Sequence, residues 1–156
     1  MEKPRSSRRA RGVKAPRVVV IGSYREDLGG LLALSRRLEE RGCEVLHPSH
    51  SARYVEEEQG FVRLDCDVAR EPAVVQRHVF SLMAQADAVM LYIPTGRVGV
   101  SAALEIGYAL ALGKPVYATH PPEDATLRGL VSSPEESRRA LGSFAPSVEG
   151  AAGHDE

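Results

Sequence analysis

The strongest constraint on the fold is a set of short apolar runs with no polar alternation inside them. "RVVVIGS" (17–23), "DAVMLYIP" (87–94) and "KPVYATH" (114–120) are built mainly of β-branched and large aliphatic side chains. Strands of that kind are buried on both faces, as when helices cover both sides of a parallel sheet. The segments between them supply the helices. "DLGGLLALSRRLEERG" sets Leu28, Leu31, Leu32, Leu34 and Leu38 largely on one face and stops at Gly42. "CEVLHPS" is a further strand, ended by Pro48. "AVVQRHVFSLMAQA", opened by Pro72 in its first turn, and "GVSAALEIGYALALG", stopped at Gly113, are two more helices. This alternation specifies an α/β fold, a doubly wound parallel sheet in one domain. Right-handed crossovers make the flavodoxin-like strand order 2-1-3-4 the expectation.

The domain is read as residues 17–144, after a disordered basic leader (1–16) and before a flexible tail (145–156). Within it, "HSARYVEEEQG" and "FVRLDCD" read as a long polar excursion with one irregular strand, and "YVEEEQ" as a solvated charge run. "SPEESRRALGSF" reads as a short last helix. A chain of 156 residues buries a core without disulfides or metal. Its formal net charge of −1 gives no electrostatic case for nucleic acid or an acidic membrane. No apolar run reaches membrane-spanning length. Cys43 and Cys66 lie in or beside strand-like segments, so both are expected to be buried small hydrophobes in a reducing cytoplasm.

In sheets of this kind ligands bind beyond the carboxyl ends of the strands. Three segments are expected to meet there: "GSYRED", "PTGRVGVS" and the loop after "HPS". Glu105 is the single charge between Ser101 and Gly113. If Ser101 caps its helix, a capping box needs the acid at position 104, which is Leu104, so Glu105 is out of register for one. It either faces water near the positive end of the helix or stands in the crevice. There an ionised carboxylate is a competent nucleophile and stabilises positive charge on a sugar carbon. His47 and His50 lack a third ligand at a recognisable spacing, so neither metal nor any other cofactor is expected. No Walker loop or Ser-His-Asp signature is present.

The stretch "ADAVMLYIPTGRVGVSAALEIGYALALGKPVYA" resembles the nucleoside 2-deoxyribosyltransferase superfamily. The likeness lies in a strand led by an aspartate, a Gly-containing loop, a Glu-x-Gly-Tyr-Ala helix and a Gly-Lys-Pro strand. It extends over about residues 17–120 and is sharpest at Asp87 and at 99–116. The resemblance implies a flavodoxin-like fold, cleavage of N-glycosidic bonds of nucleosides or nucleotides, and a nucleophilic glutamate at Glu105. Relatives also carry two acids that handle the base, six residues before the nucleophile and eight before the aspartate. Here those positions hold Gly99 and Val79. His78, next to Val79, is then a candidate general acid or a histidine of the helix surface, and Asp65 and Asp67 are other donors. "IGSYRED" stands where relatives hold the sugar or a 5′-phosphate, and its Gly-Ser-x-Arg is similar to that of nucleotide N-hydrolases. Gly22 permits the turn, Ser23 offers a hydroxyl and an N–H, Arg25 offers charge, and Tyr24 is a sugar-side contact or a surface aromatic. Gly96, Gly99 and Ser101 form a second candidate cradle. Asp87 reads as structural.

These readings lead to a nucleoside or nucleoside 5′-monophosphate as the small-molecule partner, and to hydrolysis or glycosyl transfer through Glu105 without a cofactor. Two alternatives stand beside it. One is a phosphoribohydrolase of the lysine-decarboxylase-like kind, although "PTGRVG" lacks that group's Pro-Gly-Gly start. The other is a non-catalytic nucleotide sensor. The apolar surface of "ALEIGYALALG" predicts a homodimer or higher homo-oligomer.

Overall fold

The computed structural model of the chain describes residues 14–141. The expected leader lies almost wholly, and the expected tail wholly, outside them. The elements run β1 (Arg17–Gly22), α1 (Tyr24–Glu40), β2 (Glu44–His47), β3 (Tyr54–Glu58), β4 (Phe61–Leu64), α2 (Pro72–Gln85), β5 (Ala88–Tyr92), α3 (Val100–Ala111), β6 (Val116–Ala118), α4 (Ala125–Leu130) and α5 (Pro134–Leu141). A four-stranded sheet has the order β2-β1-β5-β6, and each of its pairings is parallel. This is the flavodoxin-like order expected from the apolar runs.

Alternation along β1 assigns the two faces. Val18 and Val20 pack on Leu31, Leu34 and Leu38 of α1. Val19 and Ile21 point the other way, to Val75, Val79 and Met83 of α2 and to Ala102 and Ile106 of α3. Every residue of β5 is buried, which is why its sequence carries no polar alternation. Asp87 closes the amino end of the sheet: its carboxylate accepts the Arg17 N–H at 2.8 Å while its own N–H reaches the Arg17 carbonyl.

The excursion after β2 differs from the expectation. The segment read as a solvated charge run is β3, and it pairs antiparallel with β4 as a separate two-stranded sheet. The charges stay largely solvent-exposed, as expected, while two of the three glutamates also form ion pairs: Glu56 meets Arg63 and Arg70, and Glu57 meets Arg25. Val62 and Leu64 of β4 form a small core with Ala52, which Tyr24, Leu28 and Leu32 of α1 cover. Cys43 is buried as expected, but Cys66 is exposed in the turn that leaves β4. Among the described residues no helix is long and apolar enough to cross a membrane.

Candidate functional site

A cavity of about 820 Å³ opens above the carboxyl ends of β1, β2 and β5. Its position is the one the topology dictates, because β1 and β5 are neighbours whose connections leave in opposite directions. The β3–β4 hairpin forms its far wall through Glu57, Gln59, Phe61 and Val62.

Gly22 begins the near wall. Its φ is +138°, and a Cβ there would lie 2.0 Å from the Tyr92 carbonyl oxygen, so only glycine fits. The chain then enters α1, where Asp27 breaks the helical conformation (φ −154°, ψ 71°). One Asp27 oxygen accepts the Gly30 N–H at 2.9 Å and the other accepts the Tyr92 hydroxyl. Ser23, Tyr24 and Arg25 thus form a short turn ahead of the regular helix, and all three line the cavity. The expected use of the Ser23 N–H is corrected: it donates to the Tyr92 carbonyl at 3.0 Å, so the hydroxyl is what this residue has to offer. Arg25 Nε lies 2.9 Å from Glu57, clipping the hairpin to α1 and leaving the terminal guanidinium nitrogens free of that contact.

Across the cavity stands the amino end of α3. Gly99 is its N-cap, so Ser101 lies inside the first turn and does not cap it, contrary to the register assumed from sequence. Gly99 and Ser101 both line the wall. Gly96 does not. It has φ +80°, its carbonyl accepts the Glu123 N–H, and a Cβ would lie 2.8 Å from the Pro121 carbonyl. Gly96 therefore shapes the turn and is not part of the cradle.

Glu105 sits on the cavity wall with 8% of its surface exposed. Burial pushes its carboxyl up to about 7, against a smaller opposing pull from the Gln76 amide. The expectation of a carboxylate kept ionised by the helix end is thereby modified: desolvation outweighs the dipole, which falls off beyond the first turn. Gln76 also lines the cavity, and its buried Nε2 has no hydrogen-bond acceptor in good geometry. The Tyr24 hydroxyl is raised well above its ordinary value, first by burial and then by the charges of Glu105, Asp67 and Cys66.

His78 is off the wall. It is half-buried on α2 and close enough to His47 and Asp67 to act on both electrostatically. Of the two loop acids, Asp67 lines the cavity and Asp65 does not; Asp65 accepts the Arg53 N–H at 2.8 Å. His47 is buried at the end of β2 and lines the cavity, and desolvation lowers its imidazole to about 4. His50 turns the other way, to Glu39 on α1. One donor atom each from His47, Cys66 and Asp67 lie within 4.8 Å of one another, so these three can hold a metal ion. Gln76, His47 and Arg97 are wall residues that the sequence did not mark as a site. The one available signal was Gln76, a polar residue beside the Val75–Val79–Met83 stripe of α2.

No protein-family model matches the chain, and no curated protein matches it. Among solved structures it is similar to a 2-desoxiribosyltransferase from Leishmania mexicana, with 17% sequence identity and a TM-score of 0.44. The match covers 68% of this chain and 66%, just under two thirds, of that one.

Proposed function

We propose that this protein breaks or exchanges the N-glycosidic bond of a nucleoside or nucleoside 5′-monophosphate, with Glu105 as the nucleophile. The observation that carries the reading is a buried carboxylate, Glu105, on the wall of a cavity of about 820 Å³, a volume ordinary for a small-molecule site. The superfamily resemblance at 99–116 puts its nucleophile at the same residue.

In this reading a Glu105 oxygen attacks the anomeric carbon. The carbon–nitrogen bond breaks, its electron pair leaves with the base, and the base takes a proton from solvent water, which the water or base nitrogen attacking in the second half returns. The sugar is held as an ester of Glu105. Water, or a nitrogen of a second base, then attacks the same carbon and restores the carboxylate. Positive charge that builds up on the sugar during each step favours the ionised form of a carboxyl that burial disfavours. Gln76 Nε2, beside Glu105 but in poor hydrogen-bond geometry to it, is a donor available to the sugar or to Glu105. A 5′-phosphate has two guanidinium groups on the wall to meet, Arg25 and Arg97. The base would lie toward the hairpin.

The test is release of free base from a panel of nucleosides and 5′-monophosphates, beside Glu105→Ala. Release by the parent and not by the variant supports the mechanism; equal release by both removes it. Tight binding of an intact nucleotide without release turns the reading to a nucleotide sensor, which the absence of acids at Gly99 and Val79 favours. The reading also includes self-association. Val100 and Leu104 are 89% and 55% exposed on α3, an apolar face that a second copy of the chain would cover.

A further inference from the structure

The geometry points to a divalent transition-metal site, zinc first, made by His47, Cys66 and Asp67 at the hairpin side of the cavity. It does not depend on the glycosidic reading. The chain brings the three donors together from two places, the end of β2 and the turn that leaves β4. Cys66 packs beside the Ser49 backbone, so these two segments touch.

Imidazole nitrogen, thiolate sulfur and carboxylate oxygen are the three ligand types zinc takes from proteins. Their donor atoms lie within 4.8 Å of one another. Bonds of about 2.0–2.3 Å in tetrahedral geometry need donor spacings of roughly 3.3–3.8 Å, so the widest pair has at most about 1–1.5 Å to close. Cys66 is exposed and is the donor placed to make that movement. The other two are already positioned. Asp67 Oδ2 accepts the Leu64 N–H at 2.8 Å, which fixes the carboxylate and leaves its second oxygen for an ion. His47 is buried and lines the cavity.

Three protein ligands are the number found where zinc keeps a position open, whereas closed structural sites use four. Because His47 and Asp67 both line the cavity, the open position would face the space that Glu105 borders. The ligand class it would accept there is a nitrogen heterocycle or a water.

The experiment is a cobalt(II) titration of the full chain after chelator treatment, followed by zinc competition. The expected result is one cobalt per chain, with an intense near-ultraviolet thiolate-to-cobalt band that zinc abolishes. Cys66→Ser should remove the band and Cys43→Ser should keep it. His47→Asn and Asp67→Asn should each weaken binding by at least about tenfold. Far-ultraviolet circular dichroism of each variant checks that it is folded. No band in the parent protein, or a band that survives Cys66→Ser, overturns the assignment. An ion bound elsewhere without sulfur gives no such band and counts against it. Because the readout is optical, the outcome stands whether or not base release is found.

Discussion

Glu105 pays for its position in stability, and the sign of that cost can be worked out. Its carboxyl sits at about 7 in the folded chain against an ordinary 4.5. Between those values the native state holds a proton that the unfolded state has lost. This contribution is therefore full below about 4.5 and lost as the pH rises through 7. The difference amounts to about 3 kcal/mol at alkaline pH. Glu105→Gln should then melt several degrees higher than the parent at pH 8, with little gap at pH 4.5; thermal melts at the two pH values check this. The same variant should lose activity by at least about a thousandfold, the trade expected when a site group is held against its own solvation. On the proposed mechanism kcat/KM of the parent should rise with pH through about 7, because that mechanism uses the ionised carboxylate. A pH profile that is flat from 5 to 9 would contradict that.

At the level of elements, what the sequence revealed follows from how each segment is buried. β5 has water on neither face and so reads as a continuous apolar run. The helical segment read from Asp27 onward matches the regular part of α1, where Asp27 accepts the Gly30 N–H. The hairpin was illegible for the opposite reason. β3 is exposed along almost its whole length and pairs only with β4, so "YVEEE" carries no burial period to read. The candidate site divides in the same way. Ser23, Tyr24 and His47 lie at strand ends that the strand-end rule locates, and Glu105 lies in the second turn of the helix that follows one. Asp67 and Gln76 depend on the path of the hairpin and the rotation of α2, which no local pattern encodes. The hairpin's tie to α1 is testable. Arg25→Ala removes an exposed ion pair, so global stability should change by less than about 1 kcal/mol. Amide exchange in β3 and β4 should nonetheless accelerate while the main sheet is unchanged, a contrast that hydrogen-exchange mass spectrometry resolves.

On the scale of the molecule, the sheet is covered by α1 on one side and by α2 and α3 on the other, yet α3 keeps an apolar outer edge. Val100 and Leu104 contribute to it, and Leu112 just past the helix is 40% exposed. Val100 also lines the cavity, so covering this edge would bring a neighbouring chain to the mouth of the site. Sedimentation velocity should show a dimer or larger species, and Leu104→Asp should shift it to monomer. A parent protein that sediments as a monomer at tens of micromolar would leave this face without the partner assigned to it.

The two-stranded ribbon shares no ladder with the principal sheet. Changes of length or sequence at its exposed turn and outer face would leave the strand register of the main sheet intact, while Phe61, Val62 and Leu64 keep it packed on the rest of the domain. One side of the binding chamber can therefore drift in sequence while the glutamate's surroundings on α2 and α3 stay constant. On the proposed reading, related chains could diverge in what they accept while keeping Glu105 in the same surroundings.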